Sequence, residues 1–183
     1  MFDNKIISGV LEREGGYVNN PADPGGKTCW GITERVARNS GYNGDMASLT
    51  KEEAYSILFN LYWIRPGFDK IDKLSAALAQ ELCDTATNMG AGVAVKWLQR
   101  WLNVFNQGGK AYPDIAVDGV TGPGTLNALT LFLTERGKQG EHVLLAALNC
   151  SQGNRYLELA ESKTTNEVFV YGWLKERVFI ASA

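Results

Sequence analysis

Glu14, Asp23 and Thr28 are three polar side chains at short spacing in a stretch crowded with glycine and proline. Glu14 follows a run in which Phe2, Ile6, Ile7, Val10 and Leu11 recur at helical spacing, and it precedes Gly15-Gly16. That places it at a helix C-terminus. The negative end of a helix dipole disfavours a further negative charge there and raises a carboxyl pKa; partial burial raises it more. A carboxylic acid still protonated near neutral pH is what general-acid cleavage of a glycosidic bond requires. Asp23 lies in Pro21-Ala22-Asp23-Pro24-Gly25-Gly26, where prolines and glycines fix the chain around it. Such a carboxylate can activate a water or stabilise an oxocarbenium ion. The Thr28 hydroxyl can orient that water. Spacing alone leaves a plainer reading open for each: a solvated helix-end Glu, a turn-forming Asp, a loop Thr.

Other chemistries are short of residues. The chain has one histidine, His142, and three cysteines, Cys29, Cys83 and Cys150, with no CxxC or HExxH pattern. A His/Cys metal site is therefore not expected, nor any cofactor. A Ser-His or Cys-His nucleophile would rest on His142 alone, which lies beside no motif and reads as structural. The widely spaced cysteines read as free, partly buried thiols in a reducing compartment. Gly26-Lys27-Thr28 resembles the end of a phosphate-binding loop, but Pro21 stands where that motif needs glycine and no apolar strand precedes it. The formal charge of −2 over 183 residues, with neither half a polycation, argues against a nucleic-acid partner.

The elements that must position these groups are mainly helical. Residues 2–13 form an amphipathic helix, and residues 15–31 an irregular or hairpin segment with a little strand. Thr33 caps a short helix to about Asn39. Thr50-Lys51-Glu52-Glu53 is a capping box opening a helix that buries Ala54, Ile57, Leu58, Leu61 and Tyr62 and stops at Pro66-Gly67. Further helices are expected over 74–89, 93–105, 124–136, 141–150 with 154–161 as one helix or two, and 168–180. Trp97 and Trp101, an i,i+4 pair on an apolar stripe, are expected in the core. Asp118-Gly119 is expected as a turn. With 45% hydrophobic residues the chain can build its core without staples.

Glu14-Gly15-Gly16-Tyr17-Val18-Asn19-Asn20-Pro21-Ala22-Asp23-Pro24-Gly25-Gly26-Lys27-Thr28 with Trp30-Gly31-Ile32-Thr33 resembles the opening of glycoside hydrolase family 108. The family pattern is close to E-G-G-Y-x-x-x-P-x-D-P-G-G-x-T-x-x-G-I-T. The likeness continues in Tyr62-Trp63, in Asp84-x-x-x-Asn88-x-Gly90 and in Leu98-Gln99. Asp118-Gly119-x-x-Gly122-x-x-Thr125 and Gly172-Trp173-Leu174-x-x-Arg177 resemble the peptidoglycan-associated region usually joined to that family. The resemblance implies a mainly α, lysozyme-like helical fold with a small hairpin segment near the active site. It implies an N-acetylmuramidase that cuts the β-1,4 bond after N-acetylmuramic acid, with the family's catalytic Glu on Glu14. The Glu-x8-Asp-x4-Thr spacing is also similar to the Glu-x8-Asp-x5-Thr arrangement of phage-type lysozymes, one residue shorter, which implies water-directing roles for Asp23 and Thr28. Asn19-Asn20 stands where relatives often carry an acidic residue, which favours Asp23 as the second carboxylate.

Tyr17, Tyr62, Trp63 and Asn88 are the candidate substrate-binding residues. Aromatic rings offer an apolar face to a sugar, although Tyr62 and Trp63 suit a core equally well. Asp84 and Asn88, one helical turn apart, either line the cleft or brace the segment at 15–31. The expected organisation is a catalytic lysozyme-like region over 1–90 and a helical peptidoglycan-associated region over 91–183, packed into the same globule. The expected partner is bacterial peptidoglycan, met by a monomer that does not insert into membranes, since no run of about 18 apolar residues occurs. The N-terminus holds no unbroken apolar stretch of the kind that directs export. The expectation is therefore a phage endolysin held in the host cytoplasm and released to the periplasm by a holin or other membrane lesion. A lytic transglycosylase and a non-catalytic wall-binding or secretion-assisting module are the alternatives.

Overall fold

The computed structural model describes residues 4–18 and 26–178, without the side chains of Arg13 and Glu14. Helix α1 (Lys5–Glu14) starts where Asn4 folds its side chain onto the chain ahead, its Oδ1 accepting from the Ile6 and Ile7 amides at 3.0 and 3.1 Å. Phe2, expected on the same stripe, lies outside the described residues. The backbone then breaks at Gly15, with φ +69° and ψ −164°, a conformation a side chain strongly disfavours. Strands β1 (Thr28–Cys29) and β2 (Ile32–Thr33) form a minimal antiparallel hairpin with Thr28 opposite Thr33. Trp30 and Gly31 make its two-residue turn with positive φ at both positions, the signature of a type I′ turn. Trp30 is held in that strained geometry by its indole N–H, which donates to the Leu49 carbonyl at 2.9 Å.

Helix α2 (Glu34–Asn39) is capped by Thr33, and a short 3₁₀ turn (Met46–Ser48) leads to α3 (Lys51–Phe59). The capping box at Thr50 is complete: the Glu53 amide donates to Thr50 Oγ1 at 3.2 Å, and the Thr50 amide to Glu53 Oε2 at 3.0 Å. Beyond Phe59 the helix widens into a π turn (Asn60–Ile64), where the Arg65 amide reaches back to the Asn60 carbonyl at 2.9 Å. The extra residue in that turn shifts the buried stripe. Trp63 turns inward at 9% exposure, while Leu61 and Tyr62, expected on the buried face, are half-buried. Tyr55, Phe59 and Trp63 stack in succession, their ring centroids 5.7 and 6.3 Å apart. Ile7 and Leu11 of α1 are fully buried, and α1 packs on α3.

The packing divides the chain into two units, Met1–Arg65 and Pro66–Ala183. The border expected at residue 90 falls inside the second unit, where the helices on its two sides pack on each other. That unit begins with α4 (Phe68–Asp72), a five-residue helix too short for periodicity to announce, although Phe68 and Ile71 are both fully buried. Helix α5 (Ala76–Met89), capped by Ser75, is followed by α6 (Ala91–Phe105) and α7 (Pro123–Ser162). The last kinks at Gly137, whose φ is +56°, and runs unbroken from Lys138 onward, so that 141–150 and 154–161 form one helix, the first of the two alternatives expected. Helix α8 (Glu167–Arg177) follows a 3₁₀ turn (Thr164–Asn166). Helices α5, α6 and α7 pack on one another around Leu78, Leu82, Leu98, Leu102, Leu129 and Phe132. Among the described residues no helix is long and apolar enough to cross a membrane.

Candidate active site

Glu14 is the last residue of α1, the position that the helix dipole makes least welcoming to a negative charge. Past the break at Gly15 the chain turns back on the hairpin. Val18 and Thr28 pair in an antiparallel bridge, with bonds of 2.8 and 2.9 Å in the two directions. Thr28 is thereby flanked by Val18 on one side and Thr33 on the other. The residues between the paired positions carry Asp23, which lies outside the described residues. Thr28 is half-buried, and among the described residues its hydroxyl makes only a long contact of 3.5 Å to the Gly26 carbonyl. Tyr17, next to the bridge, is 41% exposed. One local arrangement thus joins the end of α1, Tyr17 and Thr28.

Tyr62 and Trp63 part company. Tyr62 is half-buried on the π turn, whereas Trp63 is a core residue stacked on Phe59, so Trp63 is corrected from the candidate sugar-binding set to the packed interior. Asn88 is exposed on α5, in the second unit, with its amide donating to the Asp84 carbonyl one turn back at 2.8 Å. The Asp84 carboxylate is engaged on both oxygens. Arg177 Nη1 lies 2.5 Å from Oδ1, and Gln152 Nε2 donates to Oδ2 at 3.1 Å. Asp84 therefore braces α7 and α8 against α5.

Next to that pair, burial pushes the Glu81 carboxyl from 4.5 to about 7, and the Asp84 charge pushes the same way. Sequence reasoning missed Glu81, because nothing local in the sequence tells that its helix face is covered. Two amides of α6 and that of Asn106, which caps its C-terminus, organise the chain between α6 and α7. Gln99, 1% exposed, donates to Asp118 Oδ1 at 2.7 Å, the Val120 carbonyl at 3.1 Å and Thr125 Oγ1 at 3.0 Å, and accepts from the Gly119 amide at 2.9 Å. Asn103 exchanges two bonds with Ile115, and Asn106 reaches Asp114 and Gly109. Asp118-Gly119 is the turn expected, and Gln99 is what fixes it.

His142 is exposed on α7. All three cysteines are free, Cys29 and Cys83 buried and Cys150 exposed. Among the described residues no group of three His, Cys, Asp or Glu is placed to hold a metal ion.

Residues 7–90 match the family model of glycosyl hydrolase 108. Residues 93–178 match the model described as a predicted peptidoglycan domain. The fold is similar to that of Brucella abortus SagA, at 28% identity and a TM-score of 0.57, over 95% of this chain and 87% of that one. No curated protein matches the chain. With its mainly α fold, its helix-end Glu14 and the hairpin at Thr28, the chain is similar over residues 7–90 to glycosyl hydrolase 108 and over 93–178 to a predicted peptidoglycan domain, and the two matches together support a peptidoglycan hydrolase role.

Proposed function

We propose that the protein is an N-acetylmuramidase that hydrolyses the β-1,4 bond between N-acetylmuramic acid and N-acetylglucosamine, with Glu14 as general acid. The observation that carries this reading is the position of Glu14, closing α1 and followed by a backbone break that leads into the Thr28 pairing. A carboxyl at that end of a helix resists ionisation, and an acid that keeps its proton can deliver it to the leaving oxygen. Asp23 directs the attacking water, the Thr28 hydroxyl helps hold it, and Tyr17 and Tyr62 offer ring faces to the glycan. Asn88 is retained as a further candidate for contact with the N-acetyl groups.

The biological setting we propose is that of a phage endolysin, made in the host cytoplasm and given access to the wall by a holin or comparable lesion. The resemblance of residues 14–33 to enzymes of phages and bacteria supports that setting. The chemistry is tested by dye release from labelled sacculi. Glu14→Gln keeps the shape and removes the proton donor, so its rate is expected to fall by about 10²-fold or more. Retention of more than a small fraction of the wild-type rate would overturn the assignment.

A further inference from the structure

Trp97 and Trp101, expected in the core, are instead half-exposed along a groove between α6 and α7. The groove has a volume of about 500 Å³, within the span of small-ligand sites, roughly 300–1,000 Å³. Trp101 is fixed before any ligand arrives. Its indole N–H donates to Ser151 Oγ at 2.9 Å, and its ring stacks on Phe105 at 5.6 Å. Trp97 makes no such bond among the described residues, so its indole N–H remains available. Arg100, exposed on the same wall, has no carboxylate partner among the described residues. On the opposite wall Glu158 accepts from Asn154 at 2.8 Å and from Arg155 at 3.0 Å, so the polar groups of that wall are held in place by one another.

We infer that this groove is a second glycan-binding site, distinct from the residues around Glu14, for an amino-sugar strand bearing carboxylates. The inference rests on the peptidoglycan reading proposed above and names where the second unit holds that polymer. Pyranose rings carry an apolar C–H face that suits an indole, while their hydroxyl and acetamido groups need directional partners at the rim. The indoles supply the first, and Asn154, Glu158 and the free Trp97 N–H the second. An unpaired guanidinium in a chain of net charge −2 supplies the anion preference, pairing with the carboxylate of a muramyl unit or its peptide stem. An apolar protein helix would leave Arg100 without a partner, and a neutral glycan would not use it.

Cys150 gives the test a built-in reporter. It lines the groove and is exposed, whereas Cys29 and Cys83 are buried. Alkylation of Cys150 in the full chain is followed with and without soluble disaccharide-peptide fragments prepared from purified sacculi. Fragments at ten times their dissociation constant should slow alkylation about tenfold. Arg100→Glu should cut that protection to about twofold at the same fragment concentration and weaken pelleting with intact sacculi by about tenfold, as loss of a charge-assisted contact allows. Trp97→Ala provides a second variant, with a cooperative melt as the check on folding. Unchanged alkylation of the wild type at saturating fragment, or sacculus binding by Arg100→Glu equal to wild type, would overturn the inference. Turnover is scored separately: a wild-type chain that binds and protects Cys150 but releases nothing from sacculi would overturn the hydrolase reading and uphold the groove.

Discussion

Glu81→Gln should make the protein more stable above neutral pH and leave it nearly unchanged in mild acid. Burial on α5, with the Asp84 carboxylate nearby, holds the Glu81 carboxyl at about 7 against an ordinary value of 4.5. Ionising it in the folded chain therefore costs about 3 kcal/mol more than in the unfolded chain. Because the folded-state value is raised, the native protein binds more protons than the unfolded one between these two values. Stability from this group is therefore full below about 4.5, falls as pH rises, and is lost above about 7. Glutamine has almost the same shape and no charge to desolvate, and it retains an oxygen able to accept from Thr85, as Glu81 Oε1 does at 3.5 Å. Relative to wild type the variant should gain up to about 3 kcal/mol at pH 8.5 and little at pH 4.5, where the wild-type carboxyl is protonated when folded. Urea unfolding of both proteins across this range reads the difference directly. A stability difference that stays flat with pH would refute the reasoning, since it would mean that Glu81 ionises as freely in the folded chain as in the unfolded one.

Other substitutions probe other parts of the account. Arg177→Met leaves the Asp84 carboxylate in its partly buried position without its cation and should cost about 3 kcal/mol by urea unfolding. Gln99→Leu removes the partner of Gly119, Asp118, Val120 and Thr125 together, and a loss of about 2–4 kcal/mol is expected in the same assay. Asp23→Asn should fold normally and lose about 10²-fold in dye release from sacculi, whereas wild-type activity would remove Asp23 from the mechanism.

The sequence carried the helix ends better than the helix faces. Caps are local events, so Thr33, Thr50 and the stop after Glu14 were readable from neighbouring residues alone. The π turn at Asn60–Ile64 has no comparable signal, and it exchanged the expected burial of Tyr62 for that of Trp63. Trp97 and Trp101 show the same limit. Helical spacing told that they share a stripe, but the partner helix that meets the stripe covers it only in part. The motifs around Asp84 and Arg177 were each visible, yet 93 residues separate them, and no local pattern announces that they form one ion pair. Around the candidate active site, glycine and proline spacing marked the segment that follows α1 and leads to Thr28. The Val18–Thr28 bridge then supplied what spacing lacks, a physical tie between the end of α1 and the threonine.

The central claim is hydrolysis by a glutamate acid at position 14, and mass spectrometry of the fragments released from purified sacculis' glycan tests it most directly. The account predicts fragments ending in reducing N-acetylmuramic acid from the wild-type protein and almost none from Glu14→Gln. Fragments ending in 1,6-anhydro sugars, which mark ring closure without water, or equal release by Glu14→Gln, would contradict it.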